Sequence, residues 1–178
     1  MRVLIMGINH QIQWVRIWSA GSSSSGNIER FEREQKDHFR ELLRKRIIEE
    51  NLQFIGEETK HGEQSIAEQL CSSIEECRHA NIDMTLDGRA ARNIPVNYEN
   101  LRITPSEQAF FNQKREEYMF KKAIEESRGA ERAMMICGYQ HTEALANRFR
   151  KAGHEVEEAD IRNEPWYIED WLSQMQRM

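Results

Sequence analysis

Cysteine is scarce in this sequence, long apolar runs are missing, and basic charge is concentrated nowhere. The three cysteines, Cys71, Cys77 and Cys137, are odd in number, and their spacing matches no metal-ligand pattern. They outline no disulfide framework, so reduced thiols are expected, with Cys137 a small buried hydrophobe in an apolar run. A membrane-spanning helix needs about 20 consecutive apolar residues, and the apolar runs at residues 3–8 and 133–137 fall far short of it. The first run is also too short for the apolar core of a signal peptide and ends in Gly-Ile-Asn-His. The expectation is a cytoplasmic protein with no membrane partner. The 25 Lys and Arg are outnumbered by 30 Asp and Glu, giving a net charge of −5. The basic cluster of Arg40, Arg44, Lys45 and Arg46 is interrupted by Glu41 and followed by Glu49 and Glu50, which reads as a solvated helix face. No Lys/Arg stripe remains to follow a phosphate backbone, so no nucleic-acid partner is expected.

What the sequence does contain is an alternation of strand and helix signals. Its 178 residues suffice for one domain, 1–178, with a sizeable core. Residues 2–8 form a β-branched-rich strand, and residues 11–18 are amphipathic, a short helix or turn. Residues 19–27 are a Ser-rich flexible loop, a surface loop or a lid over the neighbouring His10. A long amphipathic helix is expected at 28–51, a short strand at 52–55, a helix at 65–77 and a strand within 81–87. Residues 88–105 lack a period and read as an irregular connection. A helix follows to about residue 127, then a buried strand at 133–137. The next helix is expected at 143–152, with Thr142 as N-cap and Gly153 at its C-terminal end. A last strand at 154–160 leads into a short helical tail, 161–178, whose aromatics fold back on the core. This order implies an α/β fold, a three-layer sandwich with a mostly parallel sheet flanked by helices.

Three strand ends carry titratable residues in matching places. They read Gly7-Ile8-Asn9-His10, Gly56-Glu57-Glu58 and Gly138-Tyr139-Gln140-His141. In a parallel sheet these ends share one edge, the edge beyond which ligands bind. Two imidazoles and a carboxylate with an open position are the ligand set of many catalytic zinc, manganese or iron sites, so His10, Glu57 and His141 are the candidate metal ligands. Without a metal, one histidine serves as general base beside the glutamate. Glu57 and Glu58 cannot both face the same way along an extended backbone. One of them therefore belongs in the centre and the other supports it or faces solvent. His38, His61, His79 and His154 lie on charged segments and read as surface residues.

The same motifs, in this order, resemble those of the TraB/TIKI superfamily, which includes erythromycin-esterase-like and ChaN-like proteins. The matching residues are Gly7-Ile8-Asn9-His10, Gly56-Glu57, Arg115-Glu116-Glu117-Tyr118-Met119 and Gly138-Tyr139-Gln140-His141. Lys114 departs from the glutamate common at that place, and the chain is shorter than many members. The resemblance implies an active centre lined by His10, Glu57 and His141, supported by Glu58, with Arg115 as a fixed cation that stabilises an oxyanion. Asn9 and Tyr139 would be polar wall residues that meet the substrate. The implied activity is hydrolysis of an ester or amide bond in a small molecule or peptide. A divalent Mn, Zn, Co or Fe ion would assist in TIKI-type members, whereas the esterase branch relies on histidine alone. The ChaN-like branch implies a different class, a non-catalytic module binding haem or another small molecule. Both a monomer and a homodimer fit the surface composition.

Overall fold

The computed structural model describes residues 1–10, 12–15, 26–59, 64–95 and 103–168. Five parallel strands make one sheet. They are β1 (Arg2–Ile8), β2 (Phe54–Glu57), β3 (Arg78–Asn81), β4 (Arg132–Gly138) and β5 (Glu155–Asp160), in the order β3-β2-β4-β1-β5. The helices are α1 (Gly26–Glu49), α2 (Ile66–Ser73), α3 (Leu86–Ala90), α4 (Pro105–Glu126) and α5 (Tyr139–Lys151). The architecture is the expected three-layer α/β sandwich.

Side-chain alternation along the strands divides the core into two halves. Leu4, Met6 and Ile8 of β1, Ile55 of β2, and Met134 and Ile136 of β4 pack with Phe39, Leu43 and Ile47 of α1 and with Ile66 and Leu70 of α2. Val3, Ile5, Phe54, Ala133, Met135 and Cys137 point the other way, onto Met119 and Ala123 of α4 and Leu145, Ala146 and Phe149 of α5. β4 runs through the middle of the sheet, and its residues from Ala133 to Cys137 are wholly buried. That explains its unbroken apolar run.

Crossover direction puts the helices where they are. From β1 to β2 and on to β3 the chain moves one way along the sheet, and α1 and α2 cover one face. From β3 to β4 and on to β5 it moves back, and α4 and α5 cover the other. A constant handedness of crossover requires this switch of face. β4 therefore lies between two strands, β1 and β2, whose following helices leave on the opposite side from its own. The carboxyl ends of these three strands flank the crevice in which open α/β sheets bind ligands.

Several elements differ from the sequence expectation. β2 runs two residues further than expected, through Glu57, and β3 begins three residues earlier, at Arg78. Residues 81–87 hold the end of β3, the Thr85 cap and the first two residues of α3, a helix that runs on into the stretch read as irregular. Among the described residues of 11–18, Ile12–Val15 form turns and one bridge, Trp14 to Ser65, with no helix. α4 starts with a capping box of Thr104 and Glu107, with Pro105 at its first turn. α5 starts at Tyr139, with Gly138 and not Thr142 as N-cap, and ends before Gly153 at φ +83°. Residues 161–163 make one 3₁₀ turn, and 164–168 are not helical, although Trp166 and Tyr167 do pack on the core half that holds α1. The Ser-rich stretch at 19–25 and the tail beyond residue 168 lie outside the described residues, while Gly26 and Asn27 belong to α1.

Candidate active site

Glu58, the first residue after β2, is the centre of the polar cluster at the carboxyl edge. Its side chain is only 5% exposed and has a charged or polar partner on every side. Arg115 Nη2 donates to Oε1 at 2.5 Å, and the Gly138 amide donates to Oε2 at 2.9 Å. His10 Nε2 stands 3.6 Å from Oε2, and His141 Nε2 stands 3.7 Å from Oε1. Burial by itself disfavours the ionised carboxyl. The charges of His10, His141 and Arg115 and the Gly138 N–H outweigh it and hold the group at about 2, below its ordinary 4.5. Glu58 is thus an anion at any physiological pH.

Each imidazole is held from behind. Gln13, fully buried, donates its Nε2 to the backbone carbonyl of Glu58 at 2.9 Å, which turns its Oε1 toward His10 Nδ1 at 2.7 Å. An amide oxygen only accepts, so His10 Nδ1 carries the proton and Nε2 is left for chemistry. His141 has the same arrangement with a carboxylate in place of the amide, since its Nδ1 lies 2.9 Å from Glu116 Oε1. Gln140 Nε2 approaches His141 Nε2 at 3.3 Å. His141 is wholly buried, whereas the His10 side chain is 41% exposed. His10 is therefore the member open to solvent.

The two Gly-x-x-His segments interlock. β1 and β4 are neighbours in register, with Gly7 beside Cys137 and Ile8 beside Gly138. A Cβ at 138 would lie 2.8 Å from His10 Nε2. A Cβ at 7 would lie 2.5 Å from Thr142 Oγ1 and 3.0 Å from Tyr139 Cδ1. Each motif's glycine clears the space that the other motif fills.

Arg115, 2% exposed, reaches past Glu58 to Asp83, with Nη2 3.1 Å from Oδ2 and Nε 3.4 Å from Oδ1. Arg89 Nη2 closes on the same Asp83 Oδ2 at 2.6 Å. Charges thus alternate along the row Glu58, Arg115, Asp83, Arg89. In this row Arg115 is already shared between two carboxylates, so it fixes Glu58 in place and is not presented to an oxyanion.

Glu57 is the member of the expected set that falls elsewhere. It follows Ile55 in the strand alternation and faces α1 and α2, where Ser65 Oγ donates to its Oε2 at 2.5 Å and His79 Nε2 lies 2.8 Å away. Glu58 points to the α4 and α5 side and meets both histidines in its stead. His79, expected at the surface, is 11% exposed and engaged with Glu57. His38 is exposed and stacks on Trp166, His154 is half-buried against Phe149, and His61 lies outside the described residues. Tyr139 packs against the core half that holds α1 and carries the Arg162 guanidinium 4.6 Å above its ring, away from the histidines. Asn9 is half-buried next to His10, and its carbonyl caps the following turn by accepting from the Ile12 amide.

The expected metal set of His10, Glu57 and His141 does not converge, because Glu57 is on the other face of the sheet. Among the described residues no group of three or more His, Cys, Asp or Glu side chains is arranged to hold an ion. His10, Glu58 and His141 fit one poorly, since each Glu58 oxygen already accepts a hydrogen bond and a cation would share the carboxylate with a buried guanidinium. Haem fits no better, because His10 Nε2 faces Glu58 and Gly138 closely and His141 is enclosed.

Sequence reasoning passed over Gln13 and Asp83 and gave no role to Glu116, although it stands in the Arg115–Met119 motif. The signal for Glu116 and Arg115 was available: they share the buried stripe of α4 with Met119 and Ala123, at helical spacing. Charged residues in an apolar register are candidates for a site. An open depression lined by Asn51, Gln53, Glu75, Glu76, Arg78, Arg128, Gly129 and Ala130 lies at the opposite, amino edge of the sheet, far from this cluster. No protein-family model, curated protein or solved structure matches the chain.

Proposed function

We propose that the chain hydrolyses an ester or amide bond of a small molecule or peptide, with His10 as general base and without a metal in the chemical step. One observation carries this reading. His10 is half-exposed, its Nδ1 is fixed by Gln13, and its Nε2 is held beside an anionic, buried carboxylate above the first turn of α5.

In this reading a water gives its proton to His10 Nε2 as its oxygen attacks the carbonyl carbon. The imidazolium so formed is stabilised by Glu58, 3.6 Å away. Two unit charges about 4 Å apart near a protein surface attract by about 4 kcal/mol. The oxyanion is met by first-turn amides of α5, a helix whose N-terminus has no side-chain cap, where the helix dipole also favours negative charge. Collapse of the tetrahedral intermediate returns the proton from His10 to the leaving alcohol or amine. His141, braced by Glu116, keeps the second oxygen of Glu58 in place and acts through it.

The test is a panel of chromogenic p-nitrophenyl esters and peptide anilides, with wild type, His10→Ala and His141→Ala compared at equal circular dichroism. Turnover by wild type that is abolished in His10→Ala and strongly reduced in His141→Ala supports the reading. Full activity in His10→Ala, or no turnover of any panel member by wild type, overturns it.

A further inference from the structure

Two of the three cysteines, read from sequence as reduced thiols outlining no disulfide framework, lie together. Cys71, in the last turn of α2, and Cys77, directly before β3, place their Sγ atoms 3.1 Å apart. Two consecutive tight turns bring them together, with the Ile74 amide donating to the Cys71 carbonyl and the Cys77 amide donating to the Ile74 carbonyl. A disulfide bond is about 2.0 Å long, so closure needs a movement of only about 1 Å. The third thiol, Cys137, is wholly buried on the other face of the sheet and provides an internal reference.

We propose that Cys71 and Cys77 form a peroxide-sensitive dithiol that closes to an intramolecular disulfide and is reopened by small thiols. Cys77 is the sulfur that reacts first. Its hydrogen bond with Cys71 pulls its ionisation below the ordinary thiol range, against the opposing effect of burial. Cys71 is pushed the other way by that same hydrogen bond, by burial, and by the negative charges of Cys77 and Glu57. Access follows from the surroundings. Cys71 is 6% and Cys77 4% exposed, both at the rim of the core half that holds α1 and α2. With so little of either sulfur exposed, the oxidant that suits the pair is a small hydroperoxide and not a protein thiol.

The chemistry balances with hydrogen peroxide as the oxidant. Cys77 sulfur attacks one peroxide oxygen, the S–O bond forms as the O–O bond breaks, and the thiol proton leaves with the second oxygen as water. Cys71 sulfur then attacks the sulfenic sulfur, the S–S bond forms as the S–O bond breaks, and the Cys71 proton leaves with that oxygen as a second water. Two thiols lose two electrons, and one peroxide is reduced to two waters. A small thiol reopens the bridge by exchange. The bridge would tie the end of α2 to the start of β3. The same two elements supply Ser65 and His79, which grip Glu57 next to Glu58.

The experiment treats the reduced full-length chain with hydrogen peroxide, quenches, denatures, alkylates and maps the peptides by mass spectrometry. The expected result is a fall from three alkylatable cysteines to one, a Cys71–Cys77 cross-linked peptide lighter by two hydrogens, and full reversal by dithiothreitol. In Cys71→Ser the bridge is gone, and Cys77 is instead labelled by dimedone as a sulfenic acid. Three alkylatable cysteines after peroxide, a bridge that includes Cys137, or dimedone labelling of Cys137 in preference to Cys77 would overturn the proposal. None of these readouts depends on hydrolase activity.

Discussion

Replacing Glu58 by glutamine removes one charge from the centre of the cluster with almost no change of shape. The wild-type carboxyl, held at about 2 against an ordinary 4.5, contributes about 3 kcal/mol to stability at neutral pH. Glutamine can still accept from the Gly138 amide, and Arg115 keeps Asp83, so the loss stays toward the lower end of the roughly 3–5 kcal/mol seen when a buried ion pair loses one partner. The pH dependence identifies the cause. The folded protein binds this proton less readily than the unfolded chain does. The contribution is therefore complete above about pH 5 and disappears as pH falls from there toward 2. Urea unfolding of wild type and Glu58→Gln should differ by about 3 kcal/mol at pH 7, a midpoint shift of roughly 1–3 M for ordinary urea slopes. The two curves should draw together between pH 5 and pH 3. A gap below about 1 kcal/mol at pH 7, or one that stays constant down to pH 3, would refute the account of Glu58 as a buried anion held by Arg115, the two histidines and the Gly138 amide.

Gly138→Ala should separate activity from fold. The new Cβ meets His10 Nε2 at 2.8 Å and Glu58 Oε2 at 3.6 Å, so the half-exposed imidazole swings away. Ester turnover by this variant should fall at least tenfold while far-UV circular dichroism is retained, and unchanged turnover would mean that His10 is not the base. Glu116→Gln should leave KM in place and lower kcat roughly tenfold, because a braced imidazole loses its carboxylate. The pH–rate profile should move as well, and a profile identical to wild type would reduce Glu116 to a packing residue. Dialysis against EDTA should leave turnover unchanged. A loss restored by Mn²⁺ or Zn²⁺ would return the metal to the mechanism.

The central strands were legible because burial on both sides leaves a continuous apolar run. β1 and β4 lie where residues 2–8 and 133–137 indicate, within a residue at each end. β2 and β3 were displaced because each is four residues long, and the outer one is written Arg-His-Ala-Asn, a half-exposed edge strand with no apolar run. The start of α5 was misplaced for a different reason. Thr142 has the composition of an N-cap, but its hydroxyl is packed over Gly7 in the first turn of a helix already begun at Tyr139. Tertiary contact overrode the local preference.

The displacement of β2 had a chemical consequence. Ended at Ile55, the strand leaves Glu57 and Glu58 in a turn, where alternation says nothing about which one turns inward. Extended through Glu57, the same alternation sends Glu57 with Ile55 toward α1, and Glu58 with Phe54 and Gly56 toward Arg115 and His141. The repeated Gly-x-x-His was legible as a pattern but not as a mechanism of assembly. The glycines are not there to turn the chain: Gly138 has φ −59°, a value open to any residue. Gly138 is small because His10 of the neighbouring strand lies over it, and Gly7 is small because Thr142 and Tyr139 lie over that position. The motif occurs twice because two parallel strands lie side by side in register, and each must make room for the segment that follows the other. A substitution at either glycine therefore acts on the opposite motif. Gly7→Ala should disturb the first turn of α5 and with it His141, while Gly138→Ala should disturb His10. Exposed His10 can move without repacking the core, and buried His141 cannot. Of the two, Gly7→Ala should thus cost the greater stability, and thermal unfolding of the pair decides it.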